Sequence, residues 1–411
     1  MQSGNTRVST DPSVDGRPLT ARSVLASALL GEDPPELPVA HLVRLTGLFG
    51  INPNRARVAL RRMQVTDFRC LPIAELEFDP RFTLISGPNA SGKTTLLEAV
   101  YILGRGRSFR TRRLEHLIRR GADRFVVFGE VDSPGRRMTM GVEGSVAGTR
   151  AKIDGAFATS LAELTLVLPV QIIDPEVHKL VEEGPSRRRR YLDWGVFHVE
   201  PDFVAQWQRY HQVLKQRNAA LKARQPRALV AIWDEELVSV GESLTAARSR
   251  YVANLADEVR RLSMTLLGQE LEIQYRCGWA RGLSLAQALK QSWVTDSERG
   301  LTHVGPQRAE LTLLMGGAPV KDRISRGQQK LLAAALLIAQ IRLFPPDFPV
   351  RPSLLLDDPA AELDNDSLAS LINEVSGRAV QLIVTTLQQD FSVFGSPGRR
   401  FGVLAGGVRP L

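Results

Sequence analysis

Gly87-Pro88-Asn89-Ala90-Ser91-Gly92-Lys93-Thr94, followed by Thr95, is the stretch whose reading decides the fold. It fits the phosphate-binding pattern G-x-x-x-x-G-K-[ST], which has meaning only between a strand and a helix. Both flanks comply. Leu76, Phe78, Phe82, Leu84 and Ile85 supply buried strand positions before it, and Leu96, Leu97, Val100, Tyr101 and Leu103 supply the apolar face of a helix after it. The glycines let backbone N–H groups close on phosphates, and the helix N-terminus adds a favourable dipole. Lys93 reaches the β and γ phosphates, and the Thr94 hydroxyl can ligate magnesium. An α/β domain begins here.

Downstream, Ser353-Leu354-Leu355-Leu356-Asp357-Asp358 reads as an apolar strand that delivers two carboxylates at its end. Alone, such a run often marks nothing more than a strand end. Paired with the loop, Asp357 is expected to hold magnesium through water and Asp358 to polarise the attacking water. Between the two lies Ser325-Arg326-Gly327-Gln328, opening an Ala/Leu-rich helix at residues 331–341. A Ser-x-Gly-Gln at a helix start resembles the signature motif of the ABC ATPase superfamily. The resemblance implies that this helix N-terminus meets the γ-phosphate held by a second subunit, so that ATP joins two heads. Asp364, after Leu363, matches that superfamily's D-loop. Gln171, after the apolar residues 166–170, is the candidate Q-loop glutamine, although a lone Gln after a strand is commonly a plain surface residue.

The middle of the chain changes period. Phe203, Trp207, Tyr210, Leu214 and Leu221 recur at helical spacing, Gln225-Pro226 breaks the run, and apolar positions resume from Trp233 to Leu266 at steps of three and four. Two antiparallel helices explain this pattern. The expected fold is therefore α/β, an ABC-type ATPase head with an inserted helical lobe. Residues 58–175 and 301–411 form the head, residues 176–300 the lobe, and residues 1–57 an N-terminal extension.

The order and spacing of seven segments narrow the reading: DFRCL (67–71), LGRGRSFRT (103–111), RRRRYLDWGVFH (187–198), LKQRNAAL (214–221), GPQRAEL (305–311), SRGQQKLL (325–332) and LLLDDPAAELD (354–364). Together they closely resemble the RecF family of bacterial recombination-mediator ATPases, from about residue 58 to the C-terminus. The resemblance implies a DNA replication and repair ATPase active in the response to DNA damage, including the SOS response. It implies an ATP-dependent homodimer, with Mg2+ as cofactor, that clamps double- and single-stranded DNA at their junctions. It further implies cooperation with RecO and RecR in loading RecA at gaps. By the same route residues 87–95 are the Walker A loop, Asp357 and Asp358 the Walker B pair, residues 325–328 the signature and Asp364 the D-loop. Arg69 matches a Phe-Arg position that approaches nucleotide. Three departures stand out. Asp358 is one methylene shorter than the Glu of most ABC proteins, as in RecF proteins, which suits a timed switch. Thr385-Thr386 stand where transporters carry a switch histidine. Gln307 replaces the family's usual His.

Residues 1–37 are rich in Ser, Thr, Pro, Gly, Asp and Arg, and are expected to be poorly ordered. LVRLTGLFGINPNRARVALRRM (42–63) resembles the N-terminal helices of PaaX-type transcriptional regulators, which implies a DNA-reading helix-turn-helix. The same residues from 58 onward are also needed as the first strand of the ATPase head. One segment cannot serve both, and a vestigial or artefactual extension with a start near Val58 competes with the regulator reading.

The 411 residues carry 53 Lys and Arg against 44 Asp and Glu, a net +9 that favours a polyanionic partner without naming one. Arg107, Arg110, Arg112 and Arg113, with Arg105, Arg119 and Arg120, cluster after the Walker A helix, and Lys215, Arg217, Lys222 and Arg224 lie along the first lobe helix. Such charges neutralise phosphates without reading sequence, and each one singly could equally be solvated surface. Arg187 to Arg190 stand beside Tyr191, Leu192 and Trp194, which read as core, and are expected to brace the lobe. Cys70 and Cys277 are too few for a disulfide scaffold, which points to reduced thiols in the cytoplasm. No apolar run is long enough for a membrane span or export signal, so no membrane partner is expected.

Overall fold

The computed structural model describes residues 59–133, 136–200, 202–344, 352–375, 380–387 and 395–411, together with a two-residue pairing of Ser13–Val14 with Arg17–Pro18. In chain order the principal elements are β1 (Ala59–Phe68), β2 (Leu71–Glu77), β3 (Phe82–Ser86), α1 (Lys93–Arg105), β4 (Arg124–Ser133), β5 (Arg136–Ser145), β6 (Gly148–Ile153) and β7 (Val170–Ile173). Then follow α2 (Pro185–Val199), α3 (Phe203–Lys222), α4 (Asp234–Leu267), β8 (Glu272–Arg276), α5 (Leu285–Arg299), β9 (Glu310–Met315), α6 (Arg326–Arg342), β10 (Ser353–Asp357), α7 (Asn365–Val375), β11 (Gln381–Thr386), β12 (Arg399–Leu404) and β13 (Gly407–Pro410).

The central sheet has the order β7-β10-β11-β3-β12-β13, parallel except for the terminal β12–β13 hairpin. Its strands lack polar alternation because both faces are covered. Leu354 and Leu356 of β10 join one core with the lobe helices, whereas Leu355 joins a second core with α1. Leu382 and Val384 divide from Ile383 in the same way on β11. This two-sided burial fixes the register in which β3 and β10 end side by side with β11, and so where their loops meet.

Above α1 lies an antiparallel sheet, β2-β1-β4-β5-β6, extended by Ala156–Phe157. Leu60, Met63, Val65 and Phe68 on one face of β1 alternate with more exposed residues and pack on the apolar face of α1. This assignment corrects the helical reading of residues 54–63: from Ala59 the chain is strand, hydrogen-bonded to both β2 and β4. The proposed second helix thus loses its C-terminal half, while the remainder of the PaaX-like segment lies outside the described residues.

The inserted lobe contains the expected helical pair, α3 and α4, with a break at Pro226. α4 runs 34 residues, ended by Gly268 in the left-handed region at φ 68. The lobe is not wholly helical. β8 pairs with β9, which lies beyond residue 300, so the two segments of chain are stitched by a small sheet across the expected boundary. Arg217 of α3, read from sequence as a phosphate contact, is fully buried. It bonds Asp234 at 2.7 Å, Asp296 at 2.9 Å and the Thr302 hydroxyl at 2.8 Å. Its charge ties α3 to α4 and α5, and no DNA can reach it. Gln307 is partly buried, bonded to the Tyr210 hydroxyl and to the carbonyls of Thr302 and Val304.

Candidate nucleotide-binding site

Residues 87–92 connect the end of β3 to the start of α1, and the backbone conformation explains the residue types. A Cβ on Gly87 would stand 2.3 Å from the Val403 carbonyl oxygen, so only glycine lets β12 pass this close. Gly92 caps α1 at φ 114, a left-handed value that side chains strain to reach. The first turn of α1 has neither an acidic residue nor a side-chain cap, which leaves its N–H groups and dipole available to an anion. The hairpin β12–β13 clasps the loop from outside: Gly406 N–H donates to the Ser91 carbonyl at 3.0 Å.

Loop and strand chemistry converge as the sequence suggested. The Thr94 hydroxyl lies 2.9 and 3.0 Å from the two Asp357 carboxylate oxygens. Thr385 donates its hydroxyl to Asp357 Oδ1 at 2.8 Å and accepts the Asp358 N–H at 3.0 Å, thereby fixing the turn that carries both acids. Asp358 itself takes φ 47, at the N-terminus of a short helical turn. Lys93 Nζ donates to the Gly87 and Pro88 carbonyls at 2.8 and 2.9 Å, so two of its three N–H bonds are engaged. Burial lowers its proton affinity, while the charges of Asp358 and Asp357 act in the opposite sense. A cleft of about 400 Å³ is lined by residues 89–95, Cys70, Arg110, Pro175, Asp357, Asp358 and Ala361.

These residues fit a nucleoside triphosphate with magnesium. The Ser91 hydroxyl is buried without a hydrogen-bond partner, and Lys93 keeps a donor unused beside an uncapped helix start. Residues 87–95 would hold the phosphates, and Thr94 with Asp357 the metal. Bound Mg2+ supplies charge neutralisation at the β and γ oxygens.

Other candidates sit elsewhere. Gln171 is buried mid-strand in β7, opposite Leu354. Its amide donates to Gln340 at 2.8 Å and its carbonyl accepts from Arg105 at 3.1 Å, so it does not line the cleft. The strand-end position beside Asp357 belongs to Asp174, whose carboxyl is pushed up to about 6 by burial, then by Asp357 and Glu176. Arg69, also absent from the cleft wall, donates to Glu98 at 2.8 Å. Glu98 is wholly buried on α1 and also receives the Ser108 hydroxyl and Arg110 at 3.6 Å, so one acid anchors the loop after α1. Sequence reading missed it; an acid amid Leu96, Leu97, Ala99 and Val100 was the available signal. Ser325 caps α6 in a reciprocal capping box with Gln328, and neither they nor Gly327 line the cleft of their own chain. Asp364 accepts the Ser367 N–H and hydroxyl at 2.9 and 2.7 Å, which hold its carboxyl below the usual range. Arg107, Arg110, Arg112, Arg113, Lys215 and Lys222 are exposed. Of the four arginines expected to brace the lobe, Arg188 and Arg189 bond Glu310 and the Ala309 carbonyl and so tie α2 to the chain beyond residue 300, while Arg187 bonds Glu183.

A doubly covered parallel sheet, a phosphate loop and a paired-acid strand end, interrupted by a short lobe, define a P-loop ATPase head of the SMC and ABC kind. A family model described as RecF/RecN/SMC N terminal domain matches residues 59–397. DNA replication and repair protein RecF of Aliivibrio salmonicida is 35% identical over 331 residues, covering 80% of this chain and 92% of its own. The RecF of Shewanella oneidensis is 35% identical over 85% of this chain and 99% of its own. A solved structure described as RecF-ATP in the RecFOR pathway is 28% identical at a TM-score of 0.78, covering 87% of this chain and 98% of its own. An Smc head at 15% identity and a TM-score of 0.52 shares the fold. The chain belongs to the RecF family and is an ABC-type ATPase. Among the described residues, no helix is long and apolar enough to cross a membrane.

Proposed function

We propose that two copies of this chain close on DNA by sandwiching ATP. The Lys93 loop of one copy and the Ser325-capped helix of the other grip one triphosphate, and hydrolysis releases the pair. The observation that carries this reading is the division of the site: Lys93, Thr94, Asp357 and Asp358 line one cleft, whereas Ser325, Gly327 and Gln328 do not line it. A helix start with its own capping box, absent from the cleft of its own chain, would gain a phosphate partner from a second subunit. Thr94 and Asp357 would hold magnesium, and Asp358 would orient water. Asp364 follows the Walker B acids and immediately precedes α7.

In the same reading the DNA is a duplex with an adjoining single strand, and the work is repair and replication at gaps, in cooperation with RecO and RecR, which load RecA. The relatives' names and the RecFOR description of the ATP-bound neighbour support this assignment. Basic side chains after α1 would supply sequence-independent phosphate contacts. Retention of a gapped DNA duplex tests it: wild type should hold the DNA with ATP and Mg2+ and release it as salt rises. Lys93→Met should not hold it. Equal retention by both proteins would refute the reading.

A further inference from the structure

Beside the nucleotide cleft lies a second groove of about 610 Å³, bounded by the loop after α1, the turn after β7 and the first half of α2. Four guanidinium groups line it without an ion-paired carboxylate among the described residues: Arg105, Arg107, Arg112 and Arg190. Arg105, Arg107 and Arg112 come from the end of α1 and the loop after it, Arg190 comes from α2, and their charges disfavour one another. Burial and then the charges of Arg107, Arg187 and Arg112 lower the proton affinity of Arg190. Arg105, held to the Val170 carbonyl at 2.8 Å and lying over Trp194 and Tyr101, is lowered to about 10 by burial, with Arg107 adding to it. Two acids also line the groove. Glu176 is satisfied by Lys179 at 2.6 Å, and Asp174, which feels both Asp357 and Arg187, leaves the guanidinium groups in excess.

Converging cations that repel each other and lack counter-ions cost stability unless an anion completes them. We propose that this groove binds the phosphodiester backbone of a single nucleic-acid strand, with a base against Phe109. The inference deepens the DNA-clamp reading and rests on it. The volume admits a phosphate with its sugar and base, as in a small-molecule pocket, but not a duplex. A positive groove beside an aromatic ring is the usual platform for single strands. Arg110 lines both groove and cleft, so the strand and the triphosphate share a wall. Lys215 and Lys222, on the lobe, do not line the groove.

The test uses the full chain, without nucleotide, and fluorescein-labelled (dT)12 read by anisotropy. The double variant Arg107→Ala with Arg112→Ala should weaken binding by roughly tenfold and flatten the salt slope by about 1.4, two phosphates at about 0.7 each. Arg190→Gln should weaken it too, with melting curves confirming that the variants are folded. Lys215→Ala with Lys222→Ala should change affinity by less than about twofold. If the groove variants match wild type, or a 12-base-pair duplex depends on the groove as much as the single strand does, the groove assignment falls while DNA binding stands. If wild type binds neither DNA, with or without ATP, the clamp reading falls as well.

Discussion

The Thr94 hydroxyl and the Asp357 carboxylate stand 2.9 Å apart although 263 positions separate them in sequence. Their meeting is a consequence of strand order: β3 and β10 flank β11, and all three end at the same edge of the sheet. A hydroxyl–carboxylate pair assembled this way tolerates a long insertion between its members, because β-pairing sets the geometry and the lobe does not.

Thr94→Ala removes one member of that pair and leaves the loop backbone intact. The concentration of Mg2+ needed for half-maximal ATP hydrolysis should rise by roughly 10–100-fold. A titration of activity against Mg2+ checks this, and an unchanged midpoint would remove Thr94 from the metal site.

Arg217→Ala should act on stability. It strands Asp296, which is fully buried, and should cost about 3–5 kcal/mol in urea unfolding. Lys222→Ala, one turn and more along the same helix but exposed, should fall within about 0.5 kcal/mol of wild type. Equal effects would contradict the burial of Arg217.

Asp174 makes a pH-dependent contribution of opposite sign to an ordinary salt-bridged acid. Its carboxyl is raised from 3.8 to about 6 in the folded chain, so folding takes up protons in that window and stability declines as pH rises through it. In nucleotide-free and metal-free protein, Asp174→Asn should therefore stabilise by about 1–2 kcal/mol near pH 7.5, after allowance for solvent screening, with the gain vanishing below about pH 4. Urea midpoints across that range measure it. A gain independent of pH would exclude the carboxyl as its source.

His198 titrates against the same background. Burial lowers it to about 4, opposed by the Trp194 and Thr165 carbonyls that face its two ring nitrogens, of which the neutral ring donates to only one. The unfolded chain binds its proton first, so this residue costs stability progressively as pH falls from about 6.5 to about 4. His198→Gln should flatten the acid limb of the wild-type stability profile over that interval, and an unaltered limb would contradict the burial of a neutral ring.

The glycine-rich loop, the paired acids at a strand end, the Ser325-capped helix and the two long lobe helices were legible because each rests on local chemistry or on a period of three to four. What escaped depended on partners distant in sequence. Arg217 looks like any lysine or arginine on an amphipathic helix until Asp234 and Asp296 fold around it. Gln171 follows an apolar run as a Q-loop glutamine would, but β-register places it opposite Leu354, short of the strand end where Asp174 emerges. Residues 59–63 carry helical-looking arginines, and pairing with β2 and β4 overrides that tendency. Glu98 stood out only as an acid on an apolar helix face, because the partners it gathers, Arg69, Ser108 and Arg110, are ones no helical pattern places near it.

The most direct test is the solution mass of the full chain with ATP and Mg2+, compared with ADP and Mg2+, for wild type and Ser325→Arg. A triphosphate shared between two heads predicts a dimer for wild type with ATP alone, and monomers for wild type with ADP and for Ser325→Arg in either nucleotide. Monomeric wild type in saturating ATP, or Ser325→Arg dimerising as readily as wild type, would contradict it.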